Sequence, residues 1–385
     1  MEQPENFRVL VPVYNPLGGI KTYVLSYIRY LNESGYRFTI LAPKGEVFDL
    51  MKQEAKDFPE IRFIDVPEGK SFRKMTLAIR RTLKTDSYLA IHSQGLKGGV
   101  LTAIANWGIR KPHVMTLHSL LVPQEDIPGK VKWLKKKLIG FVTRYIDEII
   151  PVSQDCLQNH LDYFPGWKKG PCHVEPIFNG IDLDKFQCFS DNPLSYLRKK
   201  YELPPEMVLI GFFGRFMPEK GFLQLLDALK ILVSRGYKDR IRLIAVRDDQ
   251  GYLEYIRAVE TNDTLRHMIC LIDQQPNIAP LISQMNVVIM PSLWEACPLV
   301  PMEAMVLGVP VIGSDCLGLR EVLRGTPSYV SRAGDPVSIA DAVEEYINNP
   351  WDEAAKQFIP TARERFDVRN GVKKIEAVYA EWKKK

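Results

Sequence analysis

Short β-branched apolar runs recur along this chain, each parted from the next by a segment long enough for a helix. That rhythm restricts the fold more than any other feature. FRVLVPVY at 7–14 is followed by an amphipathic stretch, IKTYVLSYIRYLNESG, at 20–35. FTILAP at 38–43, IRFIDV at 61–66, YLAIHS at 88–93, HVMTLHS at 113–119 and EIIPVS at 148–153 continue the series. A strand buried on both faces reads as a continuous apolar run, and parallel strands need a crossover of roughly a dozen residues or more. The pattern is therefore βαβ, an α/β fold with a parallel sheet.

The rhythm pauses across 180–206, where the sequence is loop-like, and restarts with MVLIGFFGRF at 207–216. IRLIAVRD at 241–248, HMICLI at 267–272, VVIMPS at 287–292 and VPVIGSD at 309–315 follow. Two doubly wound, Rossmann-like domains facing a cleft are expected, 1–185 and 207–358, joined by a linker at 186–206. A length of 385 residues suits two domains. Ligands of such sheets lie beyond the carboxyl ends of the strands.

A composition 46% hydrophobic and 25% charged excludes disorder and collagen-like structure. No apolar stretch approaches the ~18–20 residues of a membrane span. The opening MEQPENFRVLVPVY is acidic and polar where a signal peptide would be basic and then apolar, so a cytoplasmic protein is expected. The cysteines form no CxxC and no Cys/His cluster, which points to reduced, small apolar residues. Residues 1–200 hold 29 Lys and Arg against 21 Asp and Glu, a net of +8 within an overall +5. A basic half suggests an anionic partner: a membrane surface, a phosphorylated acceptor or nucleic acid.

Three segments could carry chemistry. NPLGGIKT at 15–22 departs from a Walker A loop, because Ile20 separates Gly19 from Lys21. Gly18 and Gly19 still open a helix after the first strand, leaving backbone N–H groups free to face an anion; a plain strand-to-helix turn reads the same way. In GFFGRFMPEKG at 211–221, Arg215 and Lys220 lie around a loop that follows the buried strand, which is expected to end at Gly214. Two cations there could cradle a diphosphate, although an isolated RxxxxK is more often solvated. In PSLWEACPLVPMEAMVLGVPVIGSD at 291–315, Glu295 should follow a strand and Glu303 should lie about two turns into a helix. Carboxylates accept hydrogen bonds from sugar and ribose hydroxyls, so these pieces suit a nucleotide-sugar pocket. No GxGxxG follows the first strand of either half, which disfavours a dinucleotide-dependent dehydrogenase.

With these motifs in order, the sequence resembles the retaining glycosyltransferases of family 4 (glycosyl transferases group 1), which have the GT-B fold. The motifs run from GGI at 18–20, IHSQG at 91–95 and TLHS at 116–119 to VSQ at 152–154 and NGID at 179–182. GRFMPEKG at 214–221 and the E-x7-E of Glu295 and Glu303 complete them. The resemblance implies transfer of a hexosyl unit from a nucleoside-diphosphate sugar to a saccharide or lipid-linked acceptor, with retention of configuration. A UDP-sugar is favoured and GDP-mannose comes next. It implies that Arg215 and Lys220 grip the donor diphosphate, Glu295 the sugar hydroxyls and Glu303 the ribose. His118 would sit near the reacting sugar, with Gly18 and Gly19 in a loop near phosphate and acceptor. It further implies a C-terminal helix, 359–385, returning to the first domain, and neither a cofactor nor a catalytic metal nor a nucleic-acid partner.

The departures bear on donor choice. The family's G-F-G-L after the first glutamate is replaced by Ala296, Cys297, Pro298 and Leu299, and Pro298 removes a backbone donor. RLIAVRDDQG at 242–251 replaces a glycine-rich turn. Asp182-Leu183-Asp184 imitates a metal-binding DxD but falls in the NGID loop. A nucleotide-sugar epimerase and a non-catalytic scaffold of the same fold stand as alternatives.

GKVKWLKKKLIGFVTRYIDE at 129–148 interleaves Lys130, Lys132, Lys135, Lys136, Lys137 and Arg144 with Val131, Trp133, Leu134 and Leu138. A basic amphipathic helix of this kind can lie on an anionic membrane, placing the protein on the inner face of the cell membrane. A crossover helix packing its apolar face on the sheet would look the same in sequence.

Overall fold

The structure is a computed structural model that describes residues 7–16, 18–58, 60–67, 71–122, 129–186, 194–246, 253–273, 275 and 277–383. The chain divides into two compact units: residues 1–180 with 368–385, and residues 181–367.

The first unit is built on seven parallel strands: β1 (Arg8–Pro12), β2 (Arg37–Pro43), β3 (Arg62–Val66), β4 (Ala90–Gln94), β5 (His113–Leu117), β6 (Glu148–Pro151) and β7 (His173–Val174). Their order is β3-β2-β1-β4-β5-β6-β7. Every residue of β1, β4 and β5 is buried, which is why these strands read as unbroken apolar runs. The helix Gly19–Glu33 lays Tyr23, Tyr27 and Leu31 on the sheet at spacings of four residues. Alongside it runs Val368–Lys383, burying Val368, Val372, Ile375 and Tyr379 on one stripe. These two helices pass closely at Gly371, where a Cβ would overlap the Tyr27 hydroxyl.

The second unit has six parallel strands: β8 (Val208–Phe212), β9 (Ile241–Val246), β10 (Ile269–Ile272), β11 (Val287–Met290), β12 (Val311–Ser314) and β13 (Tyr329–Ser331). Their order is β10-β9-β8-β11-β12-β13. Its core gathers Phe212, Phe216, Phe222 and the leucines of the helix Phe222–Ser234 under the sheet.

Three expectations are refined. β8 ends at Phe212, two residues before Gly214. The stretch read as a linker holds a helix, Leu194–Lys200, tied to the second unit by Arg198, whose guanidinium donates to the Pro204 and Met207 carbonyls at 2.6 and 2.8 Å. The returning segment begins at Val368, because the helix Asp352–Arg365 packs against Val300–Val306. The strands β7 and β13 were not foreseen: both are edge strands of two and three residues, too short to print a run. Among the described residues no helix is long and apolar enough to cross a membrane, and the five described cysteines are free. Residues 247–251 of the segment replacing the glycine-rich turn lie outside the described residues.

Candidate functional site

In each sheet the strand order reverses at one point, between β1 and β4 and between β8 and β11. The carboxyl ends of the strands flanking such a reversal leave a crevice for a ligand. Each sequence-predicted site residue follows a strand at one of these two rims or, for His118, follows β5 beside the first.

On the second unit's rim a small pocket is lined by Phe213, Gly214, Lys220, Met290, Ser292 and Val300. Lys220 closes a short 3-10 turn, Pro218–Lys220, and Gly221 follows at φ +70°, where a Cβ would strike the Pro291 carbonyl. This left-handed glycine lets the loop press against the end of β11, and Glu219 O accepts the Leu293 N–H at 2.8 Å. Lys220 Nζ thereby reaches Glu295 Oε1 at 2.6 Å. Ser292 Oγ donates to the same oxygen at 2.9 Å, and Ser314 Oγ donates to the Ser292 carbonyl. Gly318, at φ +76°, lies directly under the Glu295 and Ala296 carbonyls, where a Cβ would collide with both. Glu295 is therefore fixed from three sides in a nearly buried position.

Glu303 is also buried, on the helix Val300–Val306. It lies one turn into that helix, not two, because the helix begins only after buried Ala296, Cys297 and Pro298 and half-buried Leu299, with Pro301 in its first turn. Burial pushes the Glu303 carboxyl up to about 7, opposed weakly by Lys185. Its Oε2 has no hydrogen-bond partner among the described residues. A buried carboxylate oxygen left without a donor costs free energy unless a ligand supplies one. Arg215, by contrast, is exposed and has no ion-pair partner among the described residues.

On the first unit's rim, Gly18 adopts φ +57° and caps the helix Gly19–Glu33 without a side-chain cap. A Cβ at Gly19 would meet nothing within 4 Å, so packing within the protein does not explain the second glycine. Lys21 pairs with Glu54. His118 follows β5, half-buried, with Tyr23 edge-on to its ring at 4.6 Å.

The state of His118 follows from its neighbours. The Gln94 amide donates Nε2–H to the His92 carbonyl at 3.2 Å, which turns its Oε1 toward His118 Nε2 at 2.8 Å. Because a carbonyl oxygen only accepts, His118 must carry its proton on Nε2 and keep a lone pair on Nδ1. Burial, reinforced by His92, pushes its pKa down to about 3, so the ring is neutral at ordinary pH. Beneath it His92 is a satisfied core histidine, with Tyr379 Oη at 2.6 Å from Nδ1 and Thr116 Oγ1 at 2.7 Å from Nε2. His113, also buried, bonds Ser93 Oγ at 2.8 Å.

Asp182 proves to be a turn-former: its carboxylate accepts the Asp184 N–H at 3.3 Å and caps the turn Leu183–Lys185. Among the described residues no group of three or more His, Cys, Asp or Glu side chains is placed to hold a metal. Sequence reasoning passed over Ser292, Ser314, Gly318 and Gln94. Their only signals are single small or amide residues near strand ends and, for Gly318, before a short helix.

Two family models match in succession, Glycosyltransferase Family 4 over residues 17–185 and Glycosyl transferases group 1 over residues 196–365. With the two parallel α/β units, these matches give the chain the GT-B fold, each half being similar to a different glycosyltransferase domain. The chain is 30% identical over 208 residues to the capsular polysaccharide biosynthesis glycosyltransferase CapM of Staphylococcus aureus, covering 51% of this chain and 48% of that protein. It is 24% identical over 254 residues to an Escherichia coli UDP-Gal:alpha-D-GlcNAc-diphosphoundecaprenol alpha-1,3-galactosyltransferase, covering 63% of each. These matched stretches thus span half to two-thirds of the relatives' length. Among solved structures, Anabaena Alr3699/HepE in complex with UDP-glucose superposes with a TM-score of 0.80 at 20% identity, covering 97% of this chain and 99% of that one.

Proposed function

We propose that the chain transfers a hexosyl unit from a nucleoside-diphosphate sugar to a saccharide or lipid-linked saccharide acceptor, with retention of configuration. A UDP-sugar is favoured over GDP-mannose as donor, and surface polysaccharide or glycolipid assembly is the setting. The observation that carries this reading is the second unit's rim: Lys220, Glu295 and Ser292 in one bonded set, with the unpartnered Oε2 of Glu303 on the same unit.

Lys220 and Arg215 would neutralise the diphosphate as the sugar–phosphate bond breaks, which is electrostatic stabilisation of the leaving group. Ribose hydroxyls would give Glu303 the donors that the protein does not. Glu295 would orient the sugar, and the neutral His118 would offer its Nδ1 lone pair to an incipient positive charge without repelling it. The Ala296–Leu299 segment would border the donor, its missing Pro298 N–H made up elsewhere. In this reading the two cations do the work of a metal, and none is expected. The E. coli relative is named for a UDP-Gal donor and HepE is solved in complex with UDP-glucose, which favours uridine.

A thermal-shift panel of UDP, GDP, ADP, dTDP and CMP tests the reading, since a ligand that binds only the folded state raises Tm. A response confined to UDP, followed by acceptor-dependent release of UDP from a UDP-hexose, is the expected outcome. A changed sugar nucleotide formed without acceptor would make the protein an epimerase. No response to any nucleotide would sink the assignment.

A further inference from the structure

The helix Gly129–Val142 and the turn after it, Thr143–Tyr145, carry their apolar residues on the wrong side for a crossover helix. Leu134, Leu138, Phe141 and Tyr145 fall on one stripe at spacings of three to four residues, the spacing of a face that normally packs inward. Here the stripe faces solvent: Leu134 is 63% exposed and Leu138 60%. The helix is anchored instead by buried Val142 and Thr143, whose hydroxyl takes a hydrogen bond from the Trp167 indole at 2.9 Å. A contribution from outside the helix extends the stripe. Trp107, itself 54% exposed, packs on the Tyr145 ring at 4.7 Å, and Phe141 meets Tyr145 at 5.8 Å.

Cations flank the stripe. Lys135 and Lys137 are exposed on either side of it, and Lys137 Nζ lies 4.1 Å from the centre of the Trp133 ring. Arg144 stands exposed at the far end.

We propose that this face docks the protein flat on an anionic lipid bilayer, with Leu134, Leu138 and Phe141 entering the headgroup–acyl boundary. Aromatic rings with polar edges suit that boundary, and lysines beside an apolar stripe extend their stems along it while their ammonium groups meet lipid phosphates. Charge excludes the nearest alternatives. A second copy meeting this face across a two-fold axis would set the same cations against one another. A nucleic acid would satisfy the lysines but offer nothing to the exposed leucines. The inference stands apart from the reaction, because the unliganded chain itself should bind.

The test is co-sedimentation of the full chain with vesicles of phosphatidylcholine alone and of phosphatidylcholine mixed with phosphatidylglycerol, at low and physiological salt. Wild type should pellet only with the anionic vesicles, and less at higher salt. L134Q/L138Q and K135E/K137E should each lower vesicle affinity at least about ten-fold, since each removes more than about 1.4 kcal/mol of interaction. Their melting temperatures and nucleotide responses should match wild type, because every altered side chain is exposed. Absence of binding to anionic vesicles overturns the proposal, as does binding that both double variants retain. A lipid-free dimer that L134Q/L138Q dissociates would assign the face to a second copy instead.

Discussion

Lys220 and Glu295 form an ion pair of 2.6 Å in which the lysine is mostly buried and the glutamate almost wholly so. The pair holds the proposed diphosphate-gripping cation close to the proposed sugar-reading carboxylate, each fixing the other before a donor arrives. Removing the lysine leaves Glu295 charged with only the Ser292 hydroxyl for compensation. We expect Lys220→Ala to cost roughly 1–3 kcal/mol of stability, below the full penalty for a broken buried pair because both groups retain some solvent. Turnover should fall by about 100-fold or more, as when an electrostatic stabiliser of a developing charge is deleted. Thermal melts with and without UDP, and steady-state kinetics, check both. An unchanged nucleotide response in the variant would contradict the site.

Glu303 gives a pH dependence of known sign. Its carboxyl is raised from an ordinary 4.5 to about 7 by burial. A group whose folded pKa lies above its unfolded one favours the fold fully below about pH 4.5, and that contribution is lost as pH rises through about 7. Glu303→Gln keeps the side chain neutral, so it should gain on wild type from pH 5.5 to pH 8, by about 2 kcal/mol. Donor binding should also release a fraction of a proton near pH 7, as ribose hydroxyls stabilise the carboxylate. Calorimetry in two buffers of different ionisation enthalpy measures it. Equal heats in both buffers would argue that Glu303 is not at the nucleotide.

The strands were legible because a two-sided buried strand must be apolar throughout, and β1, β8 and β11 have no other way to exist at the centre of a sheet. The candidate site was legible in side-chain type: the structure pairs Lys220 with Glu295 and leaves an oxygen of Glu303 without a donor among the described residues. It was illegible where backbone geometry decides: Gly318 matters through a carbonyl reached from a distant loop, and no local pattern announces that. The helix at 129–142 marks the other limit. Its periodicity showed an apolar stripe, but whether a stripe faces the sheet or the solvent is set by what the rest of the chain leaves uncovered.

Gln94 sets the tautomer of His118, and a charge change there should therefore appear in the pH profile. With a pKa near 3, wild-type His118 stays neutral, so kcat/KM should show no acid limb from this residue between pH 5.5 and 8. Gln94→Glu places a carboxylate 2.8 Å from the ring in place of an amide oxygen. An adjacent negative charge favours the imidazolium and raises its pKa. An acid limb should then emerge, and Gln94→Met should lower activity without one. A limb already present in wild type and lost in His118→Asn would contradict the neutral assignment.

Two glycines separate structural need from ligand need. Gly318 combines φ +76° with backbone oxygens where its Cβ would lie, so neither strain nor collision can relax cheaply. Gly318→Ala should cost on the order of 2–4 kcal/mol and displace Glu295, lowering Tm and nucleotide response together. Gly19 lies at the start of a helix with open space where its Cβ would be. Gly19→Ala should leave stability within about 0.5 kcal/mol of wild type, since alanine suits a helix better than glycine and touches nothing. If the space over Gly19 admits a phosphate or an acceptor hydroxyl, the same variant should lose at least about ten-fold in kcat/KM, equivalent to about 1.4 kcal/mol of transition-state binding. Melting curves beside kinetics for the two variants distinguish these behaviours. Full activity in Gly19→Ala would leave Gly18 alone as the residue the turn requires, and would remove Gly19 from the site.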